Sequence, residues 1–242
     1  MAAPTAITGY EIVADPALIS GIKPLKPKFV ANVGKPYSRT LLLEDVRRFQ
    51  MLGTVGMVRA GEQSFKQGKK LLYRVEANPA IRSITLSGVS LFKPEEILKR
   101  FQTRPQQILD YNRLFADINA IPDYYMEKKG IMYADVTDLK DVAVRDGHVK
   151  IHVREFKMGD LVVKGVKGPE ADLIRKSFKV KKGSVINRAT LLASLHDIFQ
   201  LSTVKDLDWY PRFDRERATV SMILQVTPVD ESLPPKGRSR AD

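Results

Sequence analysis

Apolar residues recur along this chain at the spacing of a helix face, and the same stripe is written three times. Leu42, Leu43, Val46 and Phe49 form the first stripe, Leu114, Phe115, Ile118 and Ile121 the second, and Leu191, Leu192, Leu195 and Ile198 the third. Each is spaced i, i+1, i+4, i+7, one side of a 3.6-residue period. The surroundings align without a gap: Phe29 to Leu52 matches Phe101 to Tyr124 at an offset of 72, and Phe178 to Leu201 at 149. Ser38, Asp110 and Asn187 stand at one register before the stripes, and all three are good N-cap types. The pattern predicts one amphipathic helix per copy, with the stripe as its apolar face.

The second copy shows the rest of the unit. Ile84 to Val89 alternates and reaches a glycine, as a short strand does, and Lys93-Pro94-Glu95-Glu96 opens a first helix carrying Ile97, Leu98 and Phe101. After the second helix, Ala134 to Leu139 is the first of two strands, and Asp146-Gly147 supplies the turn between them. The last strand places Val149, Ile151 and Val153 opposite His148, Lys150, His152 and Arg154. Val220, Met222, Leu224 and Val226 repeat that alternation in the third copy, and Leu71, Tyr73 and Val75 in the first. One dry face and one wet face predict an α+β fold: a tandem array of three β-α-α-β-β modules, each a three-stranded sheet covered on one face by two helices. The expected modules are residues 1–79, 80–157 and 158–228, followed by a disordered tail at 229–242. Pro24 and Pro27 degrade the first helix of the first copy.

A period near 75 residues is long enough for a domain with its own core, and a repeated domain points to extended binding rather than catalysis. Composition agrees. The 242 residues hold no cysteine, so disulfides and thiolate metal ligands are excluded. No apolar run is long enough for a spanning helix, and Met1 to Gly9 lacks the basic start and apolar core of a signal peptide. The net charge of +12 is spread over the copies, with one dense run containing Arg175, Lys176, Lys179, Lys181 and Lys182. A diffuse field of this kind suits acidic polypeptide, nucleic acid or anionic lipid about equally. Aromatics interleaved on a strand face, as in single-strand binders, are missing, so no nucleic-acid partner is expected.

Catalytic constellations do not assemble. His148 and His152 lie four residues apart on one strand, too far to share a metal. His196 and Asp197 are neighbours on a helix and point apart, and Glu95-Glu96 is explained by helix electrostatics. The expectation is a non-enzymatic protein without cofactor or metal.

The order of elements and several motifs resemble the POTRA (polypeptide-transport-associated) repeat of the Omp85 outer-membrane assembly and translocation family. Tyr125-Met126-Glu127-Lys128-Lys129-Gly130 followed by Ala134-Asp135-Val136 is similar to the family's passage from second helix to second strand. Val75-Glu76-Ala77-Asn78-Pro79 before Ile81 to Gly88 resembles its junction between modules, and Gly34 and Gly183 resemble the glycine before the second helix. The match runs from about residue 10 to 228, and three modules resemble the cyanobacterial and plastid-envelope branch. Lys128-Lys129 is one residue longer than the usual spacing, and Gly56 and Lys205 stand near positions where the family often carries an aromatic. The family's C-terminal β-barrel is not among these residues, so the chain is expected to be an excised region or a barrel-less relative.

The resemblance implies reception of unfolded barrel or preprotein segments on the aqueous side of an outer membrane or plastid envelope. The partners implied are other subunits of an assembly or translocation complex and a membrane β-barrel in the same or a neighbouring chain, with an anionic membrane surface as a further candidate. A sheet edge accepts an extended chain whatever its sequence, by β-augmentation. The candidate edges are Ala134, Asp135, Val136, Thr137, Asp138 and Leu139 in the second copy. In the third they are Val204, Lys205, Asp206, Leu207, Asp208, Trp209 and Tyr210. Erosion of the first copy directs the expectation of substrate contact to these later copies. The alternatives are an interaction scaffold of a secretion or division complex and, less favoured, a basic nucleic-acid-binding array. The groove between sheet and second helix is the alternative docking place, and core or hairpin packing the alternative role for Trp209 and Tyr210.

Overall fold

The computed structural model describes residues 6–22, 33–136 and 138–229. Pro24 and Pro27, Thr137 and the tail from residue 230 lie outside the described residues. The first repeat contains β1 (Ile7–Ala14), a 3-10 turn at Pro16–Leu18, α1 (Ile19–Ile22), α2 (Arg39–Gln50), β2 (Val55–Phe65) and β3 (Gly68–Ala77). The second contains β4 (Ser83–Ser87), α3 (Pro94–Leu98), α4 (Tyr111–Asn119), α5 (Ile121–Lys129), β5 (Ala134–Asp135), a 3-10 turn at Leu139–Asp141, β6 (Val142–Arg145), β7 (His148–His152) and β8 (Arg154–Glu155). The third contains β9 (Lys157–Lys164), α6 (Gly168–Ser177), α7 (Arg188–Phe199), β10 (Val204–Asp214) and β11 (Thr219–Pro228). The chain divides into two compact units, residues 1–120 with 136–152 and residues 121–135 with 153–242.

The first unit holds sheets of order β1-β3-β2 and β4-β7-β6, and the second holds β9-β11-β10 and a two-stranded ladder β5-β8. In all three larger sheets the last strand is central. The first strand joins it in parallel, as a helical crossover requires, and the middle strand joins it antiparallel through a hairpin. The strands that the alternation placed in the core do lie there: Leu71, Tyr73 and Val75, Val149, Ile151 and Val153, and Val220, Met222 and Leu224 are all essentially inaccessible.

The helical stripe is only partly core. Leu42, Leu114 and Leu191 are buried, as are Phe49, Ile121 and Ile198. The second position is not: Leu43, Phe115 and Leu192 are 49%, 39% and 47% exposed. At 100° per residue, i+4 and i+7 fall within 40° of position i, whereas i+1 falls on the helix shoulder. The caps also divide. Asp110 Oδ1 accepts from the N–H groups of Asn112 at 2.9 Å and Arg113 at 3.2 Å, and Asn187 Oδ1 from Ala189 at 2.9 Å and Thr190 at 3.3 Å. Ser38 stands at the N-cap of α2 without a side-chain bond.

The second repeat departs from expectation after its second helix. That helix stops at Asn119 and restarts at Ile121, with Pro122 in the first turn, where its missing N–H costs nothing. Among the described residues of the expected strand Ala134–Leu139, only Ala134 and Asp135 are strand, paired with Glu155 and Arg154, and the edge of the three-stranded sheet is Val142–Arg145 instead. Asp138 and Asp141 are the cause. The Asp138 N–H donates to the Asp141 carboxylate at 3.3 Å, the Lys140 N–H to the Asp138 carboxylate at 3.2 Å, and the Asp141 N–H to the Asp138 carbonyl at 2.8 Å. Short acidic side chains here take the backbone away from the ladder and into a turn.

Candidate functional site: the sheet edges

Every three-stranded sheet has two edges, and the structure treats them differently. The first-strand edge is covered at its start in all three repeats by the segment leading to the second helix. Ile7 exchanges bonds with Lys35 and Gly34, Ile81 with Gln107 and Gln106, and Met158 with Ser184 and Gly183, all at 2.7–2.8 Å. Gly34, Gln106 and Gly183 occupy one repeat position, and all three have positive φ, at 87°, 68° and 80°.

The middle-strand edges differ in length and in what their backbone offers. β2 spans eleven residues and closes on β3 through a two-residue turn at Lys66-Gln67. Hydrogen-bonded pairs alternate from Phe65↔Gly68, so Met57, Arg59, Gly61 and Gln63 bond inward to β3. The N–H and C=O groups of Val58, Ala60, Glu62 and Ser64 therefore face away from the sheet. Val58 and Ala60 also pack on the first core, whose members include Phe49, Leu71 and Tyr73. Arg59 lies on the opposite, wet face, directly across from Arg74.

β10 is equally long, but Pro211 interrupts it. The pairing Pro211↔Met222 continues without a register shift, as it does when the missing donor faces outward. On that alternation Leu207, Trp209 and Phe213 are the other outward residues, and the Leu207 N–H is already taken by the Asp206 carboxylate at 2.9 Å. Of the candidate residues here, Val204 is buried, Leu207 and Trp209 pack partly against the third core, and Lys205, Asp206, Asp208 and Tyr210 are exposed. In the second repeat Ala134 is buried, Asp135 and Val136 are half-buried and Asp138 is exposed. The edge there is the four-residue β6.

The basic run is mostly neutralised. Arg175 pairs with Asp172 at 2.8 Å, Lys179 with Asp197, and Lys182 with Asp160 at 2.6 Å, while Lys176 and Lys181 are exposed. The Lys182 hydrogen bond holds the Asp160 carboxyl below the usual range. His148 and His152 sit on the wet face of β7, where their Nδ1 atoms meet Ser83 Oγ at 2.8 Å and Ser87 Oγ at 3.1 Å.

Buried polar ties escaped the pattern of residues. The Tyr73 hydroxyl donates to Asp45 Oδ2 at 3.0 Å, and the Tyr125 hydroxyl to Glu155 Oε1 at 2.6 Å. Burial first, then the neighbouring carboxylate, pushes both phenols well above the ordinary tyrosine range. Asp117 accepts from the N–H groups of Gln102 at 2.7 Å and Thr103 at 2.8 Å, and Ser194 from Lys179 at 2.9 Å. Asp45, Asp117 and Ser194 share one repeat position on the second helix, a buried polar residue inside the apolar stripe. That coincidence was the available signal.

Residues 79–155 match the family model described as POTRA, surface antigen variable number repeat. Among solved structures, the chain is similar to POTRA1-3 of the periplasmic domain of Omp85 from Anabaena, at 17% identity and a TM-score of 0.73, over 95% of this chain and 98% of that one. It is also similar to the N-terminal domain of Omp85 from the thermophilic cyanobacterium Thermosynechococcus elongatus, at 20% identity and a TM-score of 0.64, over 93% and 97% of the two chains. No curated protein sequence matches it. These likenesses establish the fold, that of a tandem POTRA array.

Proposed function

We propose that this chain, in which residues 79–155 match the POTRA family and whose fold is that of a POTRA1-3 array, receives unfolded polypeptide segments for insertion into or passage across an outer membrane. The modules are residues 1–79, 80–157 and 158–228. The work is done on the aqueous side of that membrane, in a periplasm or plastid envelope space, beside a membrane β-barrel and other subunits of an assembly complex. Lys176 and Lys181 supply cationic contact to an anionic membrane surface.

No bond is made or broken in this role, and no cofactor takes part. The chemistry is main-chain hydrogen bonding at a sheet edge, which suits a receptor of many sequences because every residue but proline carries the same donor and acceptor. The observation that carries the reading is the row of outward-facing backbone groups on a long edge strand. Titration of a labelled, unfolded outer-membrane or plastid preprotein tests it. Saturable binding that tolerates many side-chain sequences but fails with proline-rich ones is expected. A chain that binds no unfolded protein, yet retains a folded partner in pulldowns, is a scaffold instead.

A further inference from the structure

We propose that the docking edge is β2 of the first repeat, and that it prefers an extended segment alternating apolar and polar residues, with an acidic side chain beside Arg59. This rests on the polypeptide-receptor reading and says which edge performs it and what it favours. It also moves the site away from the later copies that erosion of the first helix had suggested.

Three middle-strand edges compete. A bound strand needs several consecutive outward groups, because each backbone hydrogen bond adds only about 0.5–1.5 kcal/mol net. β6 has four residues in all. β10 has eleven, but Pro211 offers no donor and Asp206 occupies the Leu207 N–H, leaving Trp209 and Phe213 as outward donors four residues apart. That is the pattern of an edge protected against pairing. β2 has neither device. Val58, Ala60, Glu62 and Ser64 present four outward residues in succession, with no proline in the strand.

The two faces of β2 set the preference. Residues of a guest strand on the side of Val58 and Ala60 extend the layer packed on the first core, so apolar side chains are favoured there. Residues on the other side flank Arg59. Arg59, whose Nε donates to Met57 Sδ at 3.2 Å, is the register partner of Arg74 on the next strand, so two cationic residues share this face and an added carboxylate offsets their like charge. An alternating guest with acids on its polar face fits both.

The test uses the full chain and three labelled synthetic peptides: alternating valine and aspartate, alternating valine and lysine, and the first with a central proline. Fluorescence anisotropy should rank the aspartate peptide tightest and the proline peptide weakest. Ala60→Pro removes an outward donor while leaving the β3 ladder intact, and should weaken binding about tenfold, the scale of one backbone bond. Circular dichroism checks that this variant is folded. Arg59→Glu leaves the backbone alone and should invert the order of the aspartate and lysine peptides. Pro211→Val reopens the third edge and should raise the binding stoichiometry. Binding that persists unchanged through Ala60→Pro and Arg59→Glu overturns the assignment to β2 and leaves the receptor reading standing. An unaltered chain that binds none of the peptides and no unfolded preprotein removes the receptor reading as well.

Discussion

Gly53 and Asp110 are packed so closely that a Cβ on the glycine would overlap the aspartate's carboxylate and approach the Asn112 nitrogen to 2.7 Å. The contact joins two consecutive repeats. The Tyr111 N–H, first of α4, donates to the Gly53 carbonyl at 2.9 Å, and the Asn78 side chain, in the connector after β3, donates to both the Gly53 and Leu109 carbonyls at 2.8 and 2.9 Å. The next junction repeats the device. The Arg188 N–H donates to the Gly130 carbonyl at 2.8 Å, and Asn187 Nδ2 to the Lys129 carbonyl at 2.7 Å. The N-cap of one repeat's second helix thus serves twice, opening its own helix and seating the turn of the preceding repeat.

Gly53→Ala should therefore destabilise the chain by about 1–3 kcal/mol, the usual cost of overpacking, with part of it from the displaced Asp110 cap. Gly61→Ala is the control, since a Cβ there meets nothing within 4 Å. Urea unfolding of both variants checks this. Equal, small effects would mean that the junction yields without cost.

The two buried phenols predict a loss of stability in alkali. The folded chain keeps Tyr73 and Tyr125 protonated where the unfolded chain ionises them, near the ordinary value of 10.0. Above that pH the unfolded state binds fewer protons than the folded one, so unfolding free energy falls as pH rises. Below it these two groups add no pH dependence. The Tyr73→Phe, Tyr125→Phe double variant should flatten the decline above pH 10.0 in thermal melts, leaving the contributions of Tyr133, raised by burial, and Tyr37, raised first by its hydrogen bond with Glu62. An unchanged alkaline slope would assign the decline elsewhere.

Asp117 holds two backbone N–H groups of the segment between the first and second helices of its repeat, and is only 6% exposed. Asp117→Ala leaves both donors without that acceptor, at about 1–3 kcal/mol each where they stay dry. Ser194 performs the same tie with one N–H, so Ser194→Ala should cost less. Hydrogen exchange at Thr103 checks the mechanism, since its amide should lose protection faster than those of β7.

Much of this was legible in the residues because it is local. Helix faces follow 3.6-residue spacing and strand faces follow alternation, so Leu114, Ile118, Val149 and Ile151 announced their burial. The exposed shoulder position was not legible, because Leu43, Phe115 and Leu192 are as apolar as their neighbours and periodicity alone does not set the width of a buried face. The tyrosine–carboxylate ties join residues 28 and 30 apart and leave no local trace. The split of the expected strand at Ala134–Leu139 had a local cause, the Asp138–Asp141 turn, but β propensity on either side concealed it. Edge quality was readable only in part. Pro211 is visible in the chain, whereas the direction of its missing donor depends on the register with Met222.

Gln106 is the last case, a residue whose neighbours in the other repeats show what it replaces. It takes φ of 68° where Gly34 and Gly183 take 87° and 80°. A side chain in that left-handed region costs about 1–2 kcal/mol, which glycine avoids. Glycine also adds conformational freedom to the unfolded chain, which offsets about 0.4–1 kcal/mol of the gain. The backbone bonds of this residue, Gln106 N–H to the Ile81 carbonyl at 2.7 Å, do not depend on the side chain. Gln106→Gly should therefore stabilise the chain by up to about 1 kcal/mol, and Gly183→Gln should destabilise it by a similar amount. Thermal unfolding of the two variants against the unaltered chain checks both signs. Destabilisation by Gln106→Gly would mean that the Gln106 side chain makes a contribution larger than the strain it carries.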